Sequence, residues 1–571
     1  MAARFLPPGP CGSDRTKERR YAPPPPPPSR RRFLGLAGAG ALAALSPAVL
    51  TSCSSGGGGA GSGSAAEAGS LDSLIPTHIP FEGVVPDIEG MHGAPDGFTS
   101  YPTEFVQAVP EPPGRGGSYT AMTPLWSPLP PGLGNNSFFD HVNGRLGTTI
   151  EFNFQDGNTV IDKMNAVVAG RDVADLTMFP DWVINLMPQF NRAVGELFED
   201  LTPYLAGDAA AAYPLLANLD GDAWRWNVFN ERLQGVPWPA EPFGNWVLYR
   251  RDLLEEYGLE PPTSPDDLFA IGEEINDPDN GRWAFGDFNL SMRQVFGAPK
   301  QWRYANGELT HMFETDEWRA SIEFMRRIFD AGLVHPDIVA LGDNSKELLN
   351  SGRIVFNQDG IGAWHEAYGQ MLGDSPDFRL DLMPVFGANG NDPVMHRSDP
   401  SAQSVFVRKG MEPEQIEELL GVMNFCAAPF GTREYMDYRY GAEGTHHELD
   451  DDGAPQLTDL GAGEVNDGYY FISGRPPAIT ESQYPDFVQW KTDWYNHAAQ
   501  FSEDDPFAGI RIQRPERFAG AETPLTDRVE DIIRGREDLS ALDQAVADWR
   551  RDGGDEGREF YLGVLQEHGR D

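Results

Sequence analysis

The stretch that decides the fold reads Thr148-Thr149-Ile150-Glu151-Phe152-Asn153-Phe154, then Asn158-Thr159-Val160-Ile161-Asp162-Lys163-Met164-Asn165-Ala166-Val167-Val168-Ala169-Gly170, then Ala174-Asp175-Leu176-Thr177-Met178-Phe179. In its first part Ile150, Phe152 and Phe154 alternate with Thr149, Glu151 and Asn153, the period-two pattern of a strand with one covered face. Asn158 or Thr159 then caps a helix that places Val160, Met164 and Val167 on one stripe and stops at Gly170. The apolar run from Ala174 to Phe179 is a second strand. Strand, helix and strand in about thirty residues make a βαβ unit, which predicts a parallel sheet with a right-handed crossover.

Working outward, the same alternation continues. Thr263-Ser264-Pro265 caps a helix carrying Leu268, Ile271 and Ile275. Thr315 caps Trp318, Ile322, Met325 and Phe329 ahead of Gly332, and Pro413 opens Ile416, Leu419, Leu420 and Met423. Strands are expected at Trp246–Tyr249, Arg353–Phe356, Leu380–Pro384 and Ser404–Val407. So many elements exceed one sheet, and the expectation is an α/β protein of two lobes.

The chain has 571 residues, 40% of them hydrophobic, with 44 Lys plus Arg against 87 Asp plus Glu and a formal charge of −43. A surface that acidic repels polyphosphate, so nucleic acid is not an expected partner. The cysteines Cys11, Cys53 and Cys426 show no ligand spacing, which leaves neither a disulfide framework nor a thiolate metal site. Lysine is confined to Lys17, Lys163, Lys300, Lys346, Lys409 and Lys491; almost every positive charge is arginine.

The first fifty residues read as an address. Ser29-Arg30-Arg31-Arg32-Phe33-Leu34 precedes a Gly/Ala/Leu stretch interrupted by Pro47, too short and too small in its side chains for a membrane span, and Leu50-Thr51-Ser52-Cys53 closes it. This segment resembles a twin-arginine export signal ending in the lipobox of bacterial lipoproteins. The resemblance implies that residues 1–52 are removed, that Cys53 is lipidated (diacylglyceryl and palmitate chains), and that the protein is held at the outer face of the cytoplasmic membrane. Ser54 to Ala68 is a Gly/Ser/Ala tether with ~20 Å of root-mean-square reach. Together with an irregular segment lying on the first lobe it fills 53–117.

Several ordered segments beyond it resemble one family. Glu199-Asp200-Leu201-Thr202-Pro203-Tyr204-Leu205, Gln234-Gly235-Val236-Pro237 and Leu248-Tyr249-Arg250-Arg251-Asp252-Leu253-Leu254 are followed by Ala331-Gly332-Leu333-Val334-His335-Pro336-Asp337, Ser351-Gly352-Arg353-Ile354-Val355 and Gly441-Ala442-Glu443-Gly444-Thr445-His446. In order and spacing they are similar to the extracellular solute-binding proteins of ABC importers, in the oligosaccharide-binding branch that includes alginate- and aldouronate-binding lipoproteins. The resemblance implies a periplasmic-binding-protein-like α/β fold, two hinged lobes around a central ligand cleft. It places lobe 1 at 118–240 with a return at 396–445, and lobe 2 at 241–395 with a return at 446–571. It also implies a monomer that binds an oligosaccharide or other small solute and hands it to permease subunits without catalysing a reaction. The family's calcium loop looks degenerate: Asp277, Asp279 and Asn280 are followed by Arg282 and Trp283 where oxygen ligands are needed, so no metal or other cofactor is expected.

A sugar offers an apolar C–H face and a rim of hydroxyls, which calls for exposed aromatic platforms beside planar polar groups. The candidates are Trp126, Trp182, Trp238, Trp302 and Trp364, with Asp181, Glu241, Asp359, Arg397 and Glu443 as polar partners; Trp364, after a strand and Asp359-Gly360-Ile361-Gly362, is the foremost. His446-His447 lacks a third metal ligand, and Tyr469-Tyr470-Phe471 is either core or cleft. Two competing functions stay open: a secreted glycoside hydrolase using two carboxylates, and a receptor for peptides or another small solute.

Overall fold

Alternation of apolar and polar residues yields strands where it was expected, with ends shifted by a residue or a few. A computed structural model describes residues 71–570 except 188–189, 339–344, 504 and 513. The export signal, Cys53 and the tether lie outside the described residues, all of which belong to one contact unit, 63–571. In chain order, β1 (Ser118–Leu125), β2 (Thr149–Asp156), β3 (Leu176–Pro180) and β4 (Gly235–Pro239) belong to a first sheet. Then β5 (Asn245–Arg250), β6 (Trp283–Phe285), β7 (Ile354–Gly360) and β8 (Leu380–Leu382) form a second, and β9 (Ser401–Val407) returns to the first.

The first sheet has the order β2-β1-β3-β9-β4. β1 pairs parallel with both β2 and β3, whereas β9 runs antiparallel to β3 and β4. The βαβ unit is therefore real, with α1 (Val160–Gly170) as its helix, but β1 lies between its two strands. The second sheet, β8-β5-β7-β6, is mixed: β5 is antiparallel to both neighbours and β6 is parallel to β7.

Helix punctuation follows the side chains. The Ser264 hydroxyl accepts from Asp267 N at 3.1 Å to start α2 (Pro265–Ile275), and Thr315 Oγ1 accepts from Trp318 N at 3.3 Å to start α3 (Asp316–Asp330). Pro413 opens α4 (Pro413–Cys426), which buries Ile416, Leu419, Leu420, Met423 and Cys426 against the first sheet.

Each sheet has its own core. Residues such as Ile150, Leu176, Val236, Val405, Leu420, Tyr469 and Ile472 pack in the first, and Trp246, Phe285, Phe356, Trp364, Ile479 and Tyr495 in the second. The chain crosses between them near 240–243, again at 395–401, and a third time between Ile472 and Ile479. This third crossing differs from the expected boundary at 445/446. Residues 446–472 stay with the first lobe because His446, Tyr469 and Phe471 pack on Phe138, Phe152 and Trp126. The segment 71–117 lies along the first lobe through Ile75, Phe98 and Tyr101, and its strand Asp96–Gly97 pairs parallel with Ala478–Ile479 at the third crossing. After α5 (Pro485–Ala498), helices at Glu516–Ile533, Ala541–Trp549 and Asp555–Glu567 complete the second lobe.

Candidate functional site

In parallel sheets, ligand-contacting side chains come from the carboxyl ends of strands. Three such ends in the first lobe carry candidates: Trp126 after β1, Asp181 and Trp182 after β3, and Trp238 at the end of β4. Trp126 keeps 39% of its surface accessible and Trp182 47%, and Trp238 is half-buried. Those fractions matter because a ring must show a face to stack on a sugar.

Trp126 and Trp238 meet on a third aromatic group. Phe471 lies edge-on to Trp126 at 5.9 Å between centroids and tilted to Trp238 at 5.4 Å, and Tyr470 stands perpendicular to Trp238 at 5.0 Å. Behind this cluster Arg475 sits 3.6 Å over the Tyr470 ring and 5.4 Å from Trp238, donating to the Tyr470 carbonyl at 2.6 Å. Arg439 stacks on Tyr470 at 4.2 Å and pairs with Asp467. Guanidinium faces against rings fix the aromatic planes in place. Tyr470, Phe471, Arg439 and Arg475 were not among the expected site residues. The signal was present in Tyr469-Tyr470-Phe471 ahead of Arg475-Pro476-Pro477, but a sequence cannot say which of three adjacent aromatics faces outward. Tyr469 and Phe471 are both buried, and Tyr470 between them is the one that keeps partial exposure.

Other expected residues are placed differently. Trp364 is wholly buried, its indole N–H donating to the Leu380 carbonyl at 2.7 Å and its ring 4.6 Å from Phe487, so it is core and offers no face to a ligand. Trp302 is likewise buried, on a hairpin strand edge-on to His311 and against Tyr561. Both follow loop-like motifs, yet helix α5 covers the first and the C-terminal helix the second. Glu241 is committed at the first crossing, accepting from the Tyr495 hydroxyl and from Lys491 at 3.4 Å. Burial pulls the Lys491 ammonium down, but Glu241 and Glu481 outweigh it and hold it above the usual lysine range. Arg397 donates to the His92 carbonyl at 2.7 Å, Asp359 caps the Gly360 amide at 2.7 Å, and Glu443 lies exposed in the turn before His446.

Asp181 is buried and already partnered. It accepts from the Trp226 indole, from Ser404 Oγ at 2.8 Å and from Arg511 at 2.7 Å. Burial still raises its carboxyl above the ordinary range, against the pull of Arg511 and these donors.

The histidine pair serves the local backbone. His446 Nδ1 accepts from Ala442 N at 3.0 Å, which leaves the ring proton on Nε2, 2.9 Å from Ser137 Oγ. With Glu464 beside them these residues resemble a triad, but a protonated Nε2 donates to the serine and cannot take its proton. In the loop expected to be a lost calcium site, Asn280 donates its amide to Asp277 at 2.7 Å and Arg282 donates to the Tyr257 hydroxyl at 2.8 Å. Among the described residues no group of His, Cys, Asp and Glu is disposed to hold a metal.

Comparison with known proteins agrees with this architecture. Residues 144–420 match the family model of bacterial extracellular solute-binding proteins. A curated relative, Lipoprotein LipO of Bacillus subtilis (strain 168), is 22% identical over 466 residues, covering 76% of this chain and 89% of the relative. Among solved structures, the alginate-binding protein AlgQ2 without calcium ion aligns with TM-score 0.56 and 14% identity over 82% of this chain and 99% of that one. The S. pneumoniae ABC-transporter substrate-binding protein FusA in complex with kestose aligns with TM-score 0.55 and 15% identity over 79% and 99%.

Proposed function

Starting from an extracellular solute-binding protein with a two-lobed α/β fold, we propose that the chain captures a carbohydrate, an oligosaccharide rather than a peptide, and delivers it unaltered to an ABC permease. The observation that carries this reading is the aromatic group at the strand ends of the first lobe. Trp126 and Trp238 share Phe471 as a base, and Arg439, stacked on Tyr470, with its partner Asp467 offers a donor and an acceptor for hydroxyls. Rings held by neighbouring side chains lose little freedom on binding, which is how a sugar of low intrinsic affinity is held. The alginate-binding protein AlgQ2 and FusA, solved in complex with kestose, share the fold and support a carbohydrate as cargo.

Delivery needs the receptor beside its importer. We assign that role to Cys53, lipidated after twin-arginine export, since a second acyl chain turns marginal membrane binding into stable anchoring. Among the described residues no helix is long and apolar enough to cross a membrane. Detergent phase partitioning of the expressed protein should place it in the detergent phase and Cys53→Ala in the aqueous phase; equal partitioning removes the anchor from the account.

Isothermal titration of the mature chain against oligosaccharide pools and peptide pools tests the cargo. Heat and a raised melting temperature with sugars alone are expected, and unchanged sugar recovered by mass spectrometry. Heat with peptides alone, or cleavage of the sugar, would replace the proposal.

A further inference from the structure

The Asp181 carboxylate stands where the strand-end rule would put a ligand contact, yet the chain fills that place itself. The segment that does so is fastened to the second lobe. Met395 N donates to the Phe501 carbonyl at 2.9 Å and Arg303 pairs with Glu503 at 3.0 Å. Phe507 and Ile510 pack with Trp302, Leu309 and Tyr561, and Arg570 donates to the Pro506 carbonyl at 3.1 Å. From this base Arg511 reaches to the first lobe. Its Nε donates to the Trp226 carbonyl at 2.7 Å and its Nη2 to Asp181 Oδ2 at 2.7 Å, while the guanidinium lies 4.7 and 4.5 Å from the Trp226 and Phe229 rings.

Both partners are shielded, with 10% and 5% of their side chains accessible. A third charge faces them: Asp399, on the second crossing, acts on both Arg511 and Asp181 and is itself held by Lys300 at 2.8 Å. Charge alternates from Lys300 in the second lobe through Asp399 and Arg511 to Asp181 in the first.

We propose that Arg511 is a built-in latch: carried on the second lobe, it grips the cleft edge of the first at Asp181 and keeps the lobes engaged before any ligand arrives, confining sugar to the Trp126 and Trp238 end. The inference rests on the two-lobed binding reading. Separating the lobes takes a stacked, doubly bonded guanidinium away from a buried carboxylate, and removing one partner leaves the other buried without compensation. In Arg511→Gln the engaged state would bury an unpaired carboxylate, so the ligand-free molecule should rest open.

Small-angle X-ray scattering and hydrogen exchange of the full mature chain without sugar test this. Arg511→Gln should enlarge the radius of gyration and speed amide exchange at 226–229 and 507–512 by about tenfold or more. Asp181→Asn should open it too, and the double variant should be less open than either, because the closed state then buries no charge in the pair. Scattering and exchange unchanged in Arg511→Gln would overturn the latch. If Arg511→Gln does not fold, Arg511→Lys, which keeps the charge but loses the stacked, doubly bonded grip, should give a smaller opening of the same kind, and no opening would likewise overturn it. No sugar enters the experiment, so its failure leaves the carbohydrate reading standing, and failure of sugar binding leaves the latch measurable.

Discussion

Replacing the indole at position 364 with alanine removes a fully buried ring and a 2.7 Å hydrogen bond, which should cost about 3–5 kcal/mol of stability in denaturant titrations. Trp238→Ala, at a half-buried ring beside Tyr470 and Phe471, should do the reverse: a small loss of stability and about a tenfold or greater loss of sugar affinity by titration calorimetry. If the two variants exchange these phenotypes, the aromatic group is not the platform. In the sequence Trp238 follows Gly235-Val236-Pro237 and Trp364 follows Asp359-Gly360-Ile361-Gly362, each in a loop-like setting, so they read alike. What separates them is the covering helix α5, which arrives more than a hundred residues later and buries Trp364 under Phe487. Trp126 and Trp182 keep exposed faces because no later element covers the ends of β1 and β3 completely.

At the scale of the element, the turn after α2 makes a sharp case. A calcium site needs six to eight oxygens, and here Asn280 spends its amide on Asp277 while Arg282 is held by the Tyr257 hydroxyl and ring. Calcium and a chelator are therefore expected to leave the melting temperature unchanged; a calcium-dependent rise would show the loop to be competent. Strand β8 offers a pH test. Burial lifts the Asp381 carboxyl to about 6, only partly offset by the Leu382 amide and Arg251. Its proton is bound more tightly in the folded chain than in the unfolded one, so this group adds stability as pH falls from about 6 to 4 and costs stability above that window. Asp381→Asn should flatten that part of the profile and gain about 1–2 kcal/mol at pH 7, after the loss of the Arg251 pair. Element identity came readily from periodicity and caps such as Ser264 and Thr315. Sheet order did not, because β1 inserts between β2 and β3 through long-range pairing that leaves no mark on local pattern.

For the molecule as a whole, acid lability should be set at the second crossing. Burial lowers the His396 ring to about 4, with Lys300 and Arg293 adding to the effect and the Ala298 carbonyl at 2.8 Å opposing it. A depressed histidine keeps its stabilising effect above the unfolded value of 6.5 and loses it as pH falls towards 4. His396→Gln should recover roughly 2 kcal/mol of the stability lost between pH 6.5 and 4, read from urea midpoints. The two-lobed plan was legible from the number of elements; the crossings were implied only by the family resemblance and not by local pattern. The third was placed too early because Tyr469-Tyr470-Phe471 carries no label for the sheet it joins.

Those crossings are also tied to one another. Ala240 N donates to the Pro400 carbonyl at 3.1 Å, Ser398 N donates to the Pro242 carbonyl at 2.8 Å, and Gly474 presses so closely on the Pro237 carbonyl that a side chain there would meet it at 2.2 Å. A door hung from several pins on one line can swing but cannot wring. Spin labels on either side of the mouth should accordingly move along a single coordinate, every pair of distances rising and falling in fixed proportion.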